Sequence, residues 1–131
     1  MIPRLGLDTS AAVDYLRDDR QFPPQIDGAM EILVPLAVIG ELLFGAGRSN
    51  RPQVNLTTIH ELLSSSWKPL LPDVGTAVIY GQIRVAQYGG LLTASKVNDL
   101  WIAALCIQHD LPLLTNDAGY DNVPGLNVLH W

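Results

Sequence analysis

The chain has one cysteine, Cys106, which excludes an internal disulfide and any cysteine-built zinc cage. No apolar run approaches the roughly 20 residues needed to cross a bilayer. The opening MIPRLGLDTS lacks a basic stretch followed by an apolar one, so no secretory signal is expected. A cytoplasmic protein with no membrane partner is the plain inference. Aromatic residues are only 7% of the chain, and Trp67, Trp101 and Trp131 are too scattered to form a base-stacking platform by themselves. GxGxxG, Walker A and GxSxG patterns are all missing, which leaves nucleotide-binding and serine-hydrolase readings without support. His60, His109 and His130 show no metal spacing such as HxxxH and read as surface or boundary residues. Basic side chains are few as well, 8 against 13 acids, for a net charge of −5. That balance argues against gripping nucleic acid by broad charge neutralisation. Two bound divalent cations would, however, cancel most of the excess locally.

What remains suits a packed domain. Hydrophobic residues make up 48% of 131 and charged ones 16%, which excludes a disordered chain and fits one domain over residues 1–131. No repeat, low-complexity stretch or Pro/Gly linker divides it.

Residues 4–8, RLGLD, read as a short buried strand ending at Thr9-Ser10. Residues 11–18 read as a helix with Ala12, Tyr15 and Leu16 on one face. Pro23-Pro24 breaks the chain before a helical piece near 24–30, and residues 31–34 are a second strand candidate. Pro35 suits the start of a helix over about 36–46, apolar almost all round as a buried helix should be. Helical spacing continues over 54–66. Leu70-Leu71 is a third strand candidate between Pro69 and Pro72. A helix over about 74–88 places Val78, Ile79, Ile83 and Ala86 inward and stops at Gly89-Gly90. Ser95 or Asn98 can cap the next helix, either choice putting Asp99 in its first turn. Residues 113–115 and 127–129 complete the strands. Strands alternating with helices imply a parallel sheet, and ligands in such sheets sit outside the carboxyl ends of the strands.

Four carboxylates stand where the chain is otherwise apolar. Asp8 closes IPRLGLD, Glu41 interrupts PLAVIGELLFG, Asp99 opens NDLWIAALCI and Asp117 follows LPLLTN. Acids are almost never fully buried unless paired or bound to a cation. Asp8 and Asp117 fall at strand ends, and Glu41 and Asp99 in early helical turns aimed at the same edge. A shared divalent-metal site is the first expectation. Each acid also has a plain structural reading: a helix cap for Asp8, a glutamate reaching solvent for Glu41, dipole complementation worth ~0.3–1 kcal/mol for Asp99, a turn for Asp117.

These segments resemble the PIN-domain ribonucleases, and within them the VapC-type toxins of bacterial toxin–antitoxin pairs. LDTSAAVDYL is similar to the family's opening, and GELLFGAGRS to its glutamate motif, with Glu41, Gly45 and Arg48-Ser49 in register. VNDLWIAALCIQHDLPLLTND matches the third and fourth acid motifs, and VPGLNVLHW the closing strand. The resemblance implies a three-layer α/β/α sandwich with a short, mostly parallel central sheet. It implies that Asp8, Glu41, Asp99 and Asp117 bind Mg²⁺ or Mn²⁺, with Thr9, Ser10 and Asn116 supplying supporting hydrogen bonds. It further implies endonucleolytic RNA cleavage by metal-activated water, an antitoxin partner and a homodimer. Two departures stand out: the stretch from Gly90 to Asp99 is longer than usual without the common Pro-Ile, and the loop AGYDN is compact, leaving the part of Asp121 open. Arg48, Arg51, Arg84 and Lys96 are the candidates for gripping RNA. The alternatives are a PIN-like interaction module without the chemistry and a receiver-type phosphoacceptor domain. The latter needs an acidic pair at the first turn and a lysine after a late strand, where this chain has Asp8 alone and Lys96 before a helix.

Overall fold

A computed structural model describes residues 2–17, 23–87 and 97–131. Their order is β1 (Ile2–Leu7), α1 (Thr9–Leu16), α2 (Pro24–Asp27), β2 (Ala29–Pro35), α3 (Leu36–Gly47), α4 (Pro52–Ser65), β3 (Trp67–Leu70), α5 (Val74–Ala86), α6 (Val97–Gln108), β4 (Leu113–Leu114), a 3-10 turn (Ala118–Asn122) and β5 (Val128–Leu129). The strands form one sheet in the order β3-β2-β1-β4-β5. Every pairing is parallel: Leu5 lies opposite Ile32, Ile32 opposite Trp67, Gly6 opposite Leu113 and Leu113 opposite Val128. The α/β sandwich expected from the sequence is therefore present, with a wholly parallel sheet.

The strand order decides where a ligand can sit. From β1 the chain steps outward to β2 and β3, then returns past β1 to β4 and continues to β5. Right-handed crossovers send the helices of the two halves to opposite faces. The crevice at the reversal, outside the carboxyl ends of β1 and β4, is the usual ligand position in such sheets. Asp8 follows β1 directly, and Thr115 follows β4.

The core consists of the sheet's aliphatic residues, among them Leu5, Leu7, Val34, Leu113 and Leu114, and the inner faces of the helices. α6 is the most deeply set, burying every residue from Ile102 to Cys106. It passes so close to β1 that a Cβ on Gly6 would stand 2.9 Å from Cys106 Sγ. α6 ends in a Schellman turn: Leu111 N donates to Cys106 O at 2.8 Å and Asp110 N to Ile107 O at 3.2 Å, with Asp110 in the left-handed region at φ 52°.

Several expectations are corrected. The third strand begins at Trp67 rather than Leu70, because the buried indole pairs opposite Ile32, while Leu71 faces solvent. Pro69 is tolerated there because β3 is an edge strand. α3 is not buried all round: Val38, Ile39, Leu42 and Ala46 face inward, but Phe44 is 65% exposed. On α5 the inner stripe runs through Thr76 and Ile83 with Ile79 and Tyr80 half-buried. Val78 is 56% exposed and Ala86 also faces out. The helical piece near 24–30 stops at Asp27, its last residues having joined β2. Helix α6 already includes Asn98, so that residue is not its cap. Ser95 and Gly89-Gly90 lie outside the described residues. Among the described residues, no helix is long and apolar enough to cross a membrane.

Candidate active site at the carboxyl edge of the sheet

β1 ends by handing its chain to α1 through Asp8, whose N–H donates to Leu114 O at 3.0 Å and whose carbonyl accepts from Ala12 N at 3.1 Å. Asp8 occupies the N-cap position, yet its side chain makes no capping bond. The carboxylate points instead into the protein and is only 6% exposed. Three hydroxyls hold it: Thr115 Oγ1 donates to Oδ2 at 2.7 Å, Ser10 Oγ to Oδ2 at 3.2 Å and Tyr120 OH to Oδ1 at 3.1 Å. Among the described residues it has no lysine, arginine or histidine partner. A buried carboxylate met only by neutral donors is a place where a cation could add compensation that the hydroxyls do not supply.

Thr115 is fully buried beyond β4 and stitches that end to β1. Its Oγ1 also accepts from Asp117 N at 3.0 Å, while Asn116 N donates to Ser10 Oγ at 3.2 Å. Asn116 therefore enters the network through its backbone. Asp117 turns Oδ1 onto Gly119 N at 2.8 Å and so caps the 3-10 turn that carries Tyr120.

Tyr120 joins the second carboxylate to the first. Its buried hydroxyl is also a hydrogen-bond neighbour of Asp99, in the first turn of α6. Burial, and then the negative fields of Asp8 and Asp99, push the phenol's pKa strongly upward, so it keeps its proton. Cys106 lies in the same field; burial and then Asp8 push its thiol up to about 12, which makes it an inert core residue.

Glu41, half-buried on α3, accepts from Thr9 Oγ1 at 2.7 Å through Oε2. Thr9 thus supports Glu41 rather than its neighbour Asp8. Asp121 turns to His130, with Oδ1 2.8 Å from Nε2, and the other ring nitrogen lies 2.7 Å from Thr115 O. The Asp121 bond and then that carbonyl raise the pKa of His130 above its usual value.

The expected residues are thus distributed unequally. Asp8 and Asp99 meet through Tyr120, Asp117 joins through Thr115, and Glu41 through the Asp8-Thr9 step. Among the described residues, no three of His, Cys, Asp and Glu form a ready-made metal cage. Two hydroxyls central to the arrangement, those of Thr115 and Tyr120, were not singled out from the sequence. The TND context around Thr115 and the AGYDN turn were their only signals. The donor chemistry of Asp8 and Asp99, oxygen alone, is of the kind that suits Mg²⁺ or Mn²⁺ over zinc.

Of the candidate cations, Arg48 lies 5.2 Å over the Phe44 ring and Arg84 Nη1 donates to Tyr80 OH at 2.7 Å. Tyr80 in turn stacks on Trp101, centroids 4.1 Å apart. Arg51 is exposed just before α4, and Lys96 lies outside the described residues.

The family model of the PIN domain matches residues 6–126. Ribonuclease VapC4 of Mycobacterium tuberculosis is 26% identical over 135 residues, covering 98% of this chain and 97% of that protein. Among solved structures, DNA-bound VapBC from Salmonella typhimurium superposes with a TM-score of 0.81 at 24% identity, over 100% of this chain and 99% of that one. VapBC2 from Rickettsia felis, bound to a DNA fragment from its promoter, gives a TM-score of 0.79 at 22% identity over 98% of both chains.

Proposed function

The chain belongs to the PIN-domain family, and from that premise we propose that it is a divalent-metal-dependent endoribonuclease, the toxin of a type II toxin–antitoxin pair. The observation that carries the reading is the setting of Asp8: buried at the β1–β4 reversal, held by three hydroxyls and without a cationic partner among the described residues, with Asp99 close enough to act on the same phenol. The likeness to a curated VapC ribonuclease over nearly the whole chain supports the reaction class.

In this reading Asp8 and Asp99, with Glu41 and Asp117, would hold Mg²⁺ or Mn²⁺. A cation held there would supply Lewis-acid charge for the scissile phosphate and lower the pKa of water. The chain's own groups do the positioning. Thr115 and Ser10 fix Oδ2 of Asp8, Tyr120 fixes Oδ1, and Thr9 fixes Oε2 of Glu41. Because Tyr120 keeps its proton, it orients carboxylates without competing as a base. No serine, cysteine or histidine nucleophile is required, in keeping with the raised Cys106 pKa. Single-stranded or loop RNA is the substrate, since its phosphates and bases are accessible. Arg48, Arg51, Arg84 and Lys96 are the proposed contacts to its backbone.

A small antitoxin that covers the acidic edge is the proposed partner, and the VapBC complexes among the structural neighbours support it. A homodimer completes the assembly. PIN-family membership speaks against the receiver-type alternative. The test is incubation of end-labelled RNA with wild type, Asp8→Asn and Asp99→Asn, each with Mn²⁺ and with EDTA. Cleavage by wild type in Mn²⁺ alone is expected. Equal cleavage by all three proteins would overturn the reading, and failure of wild type to cleave in Mn²⁺ would favour the interaction module.

A further inference from the structure

The end of β5 carries a residue that the acidic site has not used. His130 sets Nδ1 2.7 Å from Thr115 O and Nε2 2.8 Å from Asp121 Oδ1. A backbone carbonyl and a carboxylate can only accept. Both ring nitrogens thus face an acceptor, an arrangement that the doubly protonated imidazole satisfies in full. Each partner is one short step from Asp8. Thr115, whose carbonyl His130 holds, donates its own hydroxyl to Asp8 Oδ2 at 2.7 Å. Asp121 follows Tyr120, which donates to Asp8 Oδ1 at 3.1 Å. One ring thus grips the backbone of the first donor and the neighbour of the second. The far side is anchored too, since Gln25 Nε2 donates to His130 O at 3.0 Å.

Stability is a poor explanation for this arrangement. The side chains of His130 and Asp121 are 40% and 50% exposed, and ion pairs so exposed contribute little to folding. Position matters more, because small displacements of groups around a reacting centre cost far more in rate than in stability. We infer that His130 is a positioning residue, pinning Thr115 and the Ala118–Asn122 turn so that their two hydroxyls stay on the two oxygens of Asp8. The inference rests on the nuclease reading of Asp8, on which the positioned carboxylate acts.

The experiment compares full-length wild type, His130→Phe, Asp121→Ala and the double variant by single-site RNA cleavage kinetics, Mn²⁺ calorimetry and amide hydrogen exchange. His130→Phe should lower kcat about tenfold or more with KM little changed, and weaken Mn²⁺ binding about 10–100-fold, as loss of outer-shell support to a metal ligand does. Asp121→Ala should do the same in part, and the double variant should be no worse than His130→Phe. Exchange should quicken at residues 117–122. His130→Gln, which keeps a donor, should recover part of the rate and serves if the phenylalanine variant does not fold. Wild-type kcat and Mn²⁺ affinity in His130→Phe would overturn the inference. So would a rise in KM at constant kcat, which would make His130 an RNA contact. If wild type itself neither binds Mn²⁺ nor cleaves, the nuclease reading falls. Exchange then decides the positioning role alone, and unchanged protection at 117–122 refutes it.

Discussion

Tyr120 donates its hydroxyl to Asp8 Oδ1 at 3.1 Å across 112 positions of sequence, and the same oxygen neighbours Asp99. Tyr120→Phe removes that proton and keeps the ring. Leaving a buried charged acceptor short of a donor costs about 1–3 kcal/mol. The variant should therefore lose stability of that order in urea titrations run with EDTA, while its far-UV spectrum stays native. An unchanged midpoint would mean that the phenol only fills space.

Thr115 carries two bonds on one oxygen, donating to Asp8 and accepting from Asp117 N. Thr115→Val has nearly the same shape and loses both. A loss of about 1–3 kcal/mol is expected, again from unmet buried polar groups. Thr115→Ser keeps the hydroxyl and should retain most of the stability and any cleavage activity. Parallel denaturation curves separate the two; equal losses would assign the cost to the methyl group.

The ends of strands made half of this site legible from sequence. Asp8 and Asp117 each close an apolar run, and in a parallel sheet such positions share one edge. Asp99 was placed by the first turn of α6, whose apolar run is long enough to read as a buried helix. Thr115 and Tyr120 escaped because their partner lies 107 and 112 positions away. A threonine after a strand reads as β-former, and a tyrosine in AGYDN reads as loop. The same blindness to partners misplaced the inner face of α5, where Thr76 is buried by its bonds to Asp73 and Gln108 rather than by hydrophobicity.

Metal should stabilise the fold. Cation binding to the native state alone adds about 2.7 kcal/mol at a concentration 100 times Kd. Thermal melts of wild type should rise with Mn²⁺ up to millimolar, and those of Asp8→Asn should not. Absence of any rise in wild type would indicate that the acids around Tyr120 do not gather a cation.

Acid sensitivity should come in part from the start of α5. Asp73 accepts from Gln108 Nε2 at 2.8 Å and from Thr76 N at 3.1 Å, and returns a bond from its own N–H to Thr76 Oγ1. The Gln108 bond, then that from Thr76, hold its carboxyl below the usual 3.8. A lowered native pKa means a stabilising contribution present above 3.8 and lost as pH falls through the native value. His130 runs the other way. Its raised pKa gives a contribution present below 6.5 and lost as pH climbs through the native value. Stability measured against pH should lose a part of its acid-side slope in Asp73→Asn and, the pair being exposed, only a small part of its neutral-side slope in His130→Phe. Profiles parallel to wild type would contradict both assignments.

The close pass of β1 and α6 links packing to the site. A Cβ on Gly6 would lie 2.9 Å from Cys106 Sγ and 3.4 Å from Pro112 O. Cys106 is fully buried, so its sulfur cannot swing aside, and overpacking of this kind costs about 1–3 kcal/mol. Gly6→Ala should therefore lower stability by that much. Cys106→Ala removes the sulfur, so the double variant should recover part of the loss, with the Pro112 carbonyl keeping the rescue incomplete. Function should suffer more than folding. Gly6 is two residues before Asp8, and Cys106 shares α6 with Asp99, so a shift that relieves the clash moves one carboxylate relative to the other. RNA cleavage by fully folded Gly6→Ala should fall, and it should return in the double variant along with stability. Recovery of stability without recovery of cleavage would show that the spacing of β1 and α6 does not set the distance between the two acids.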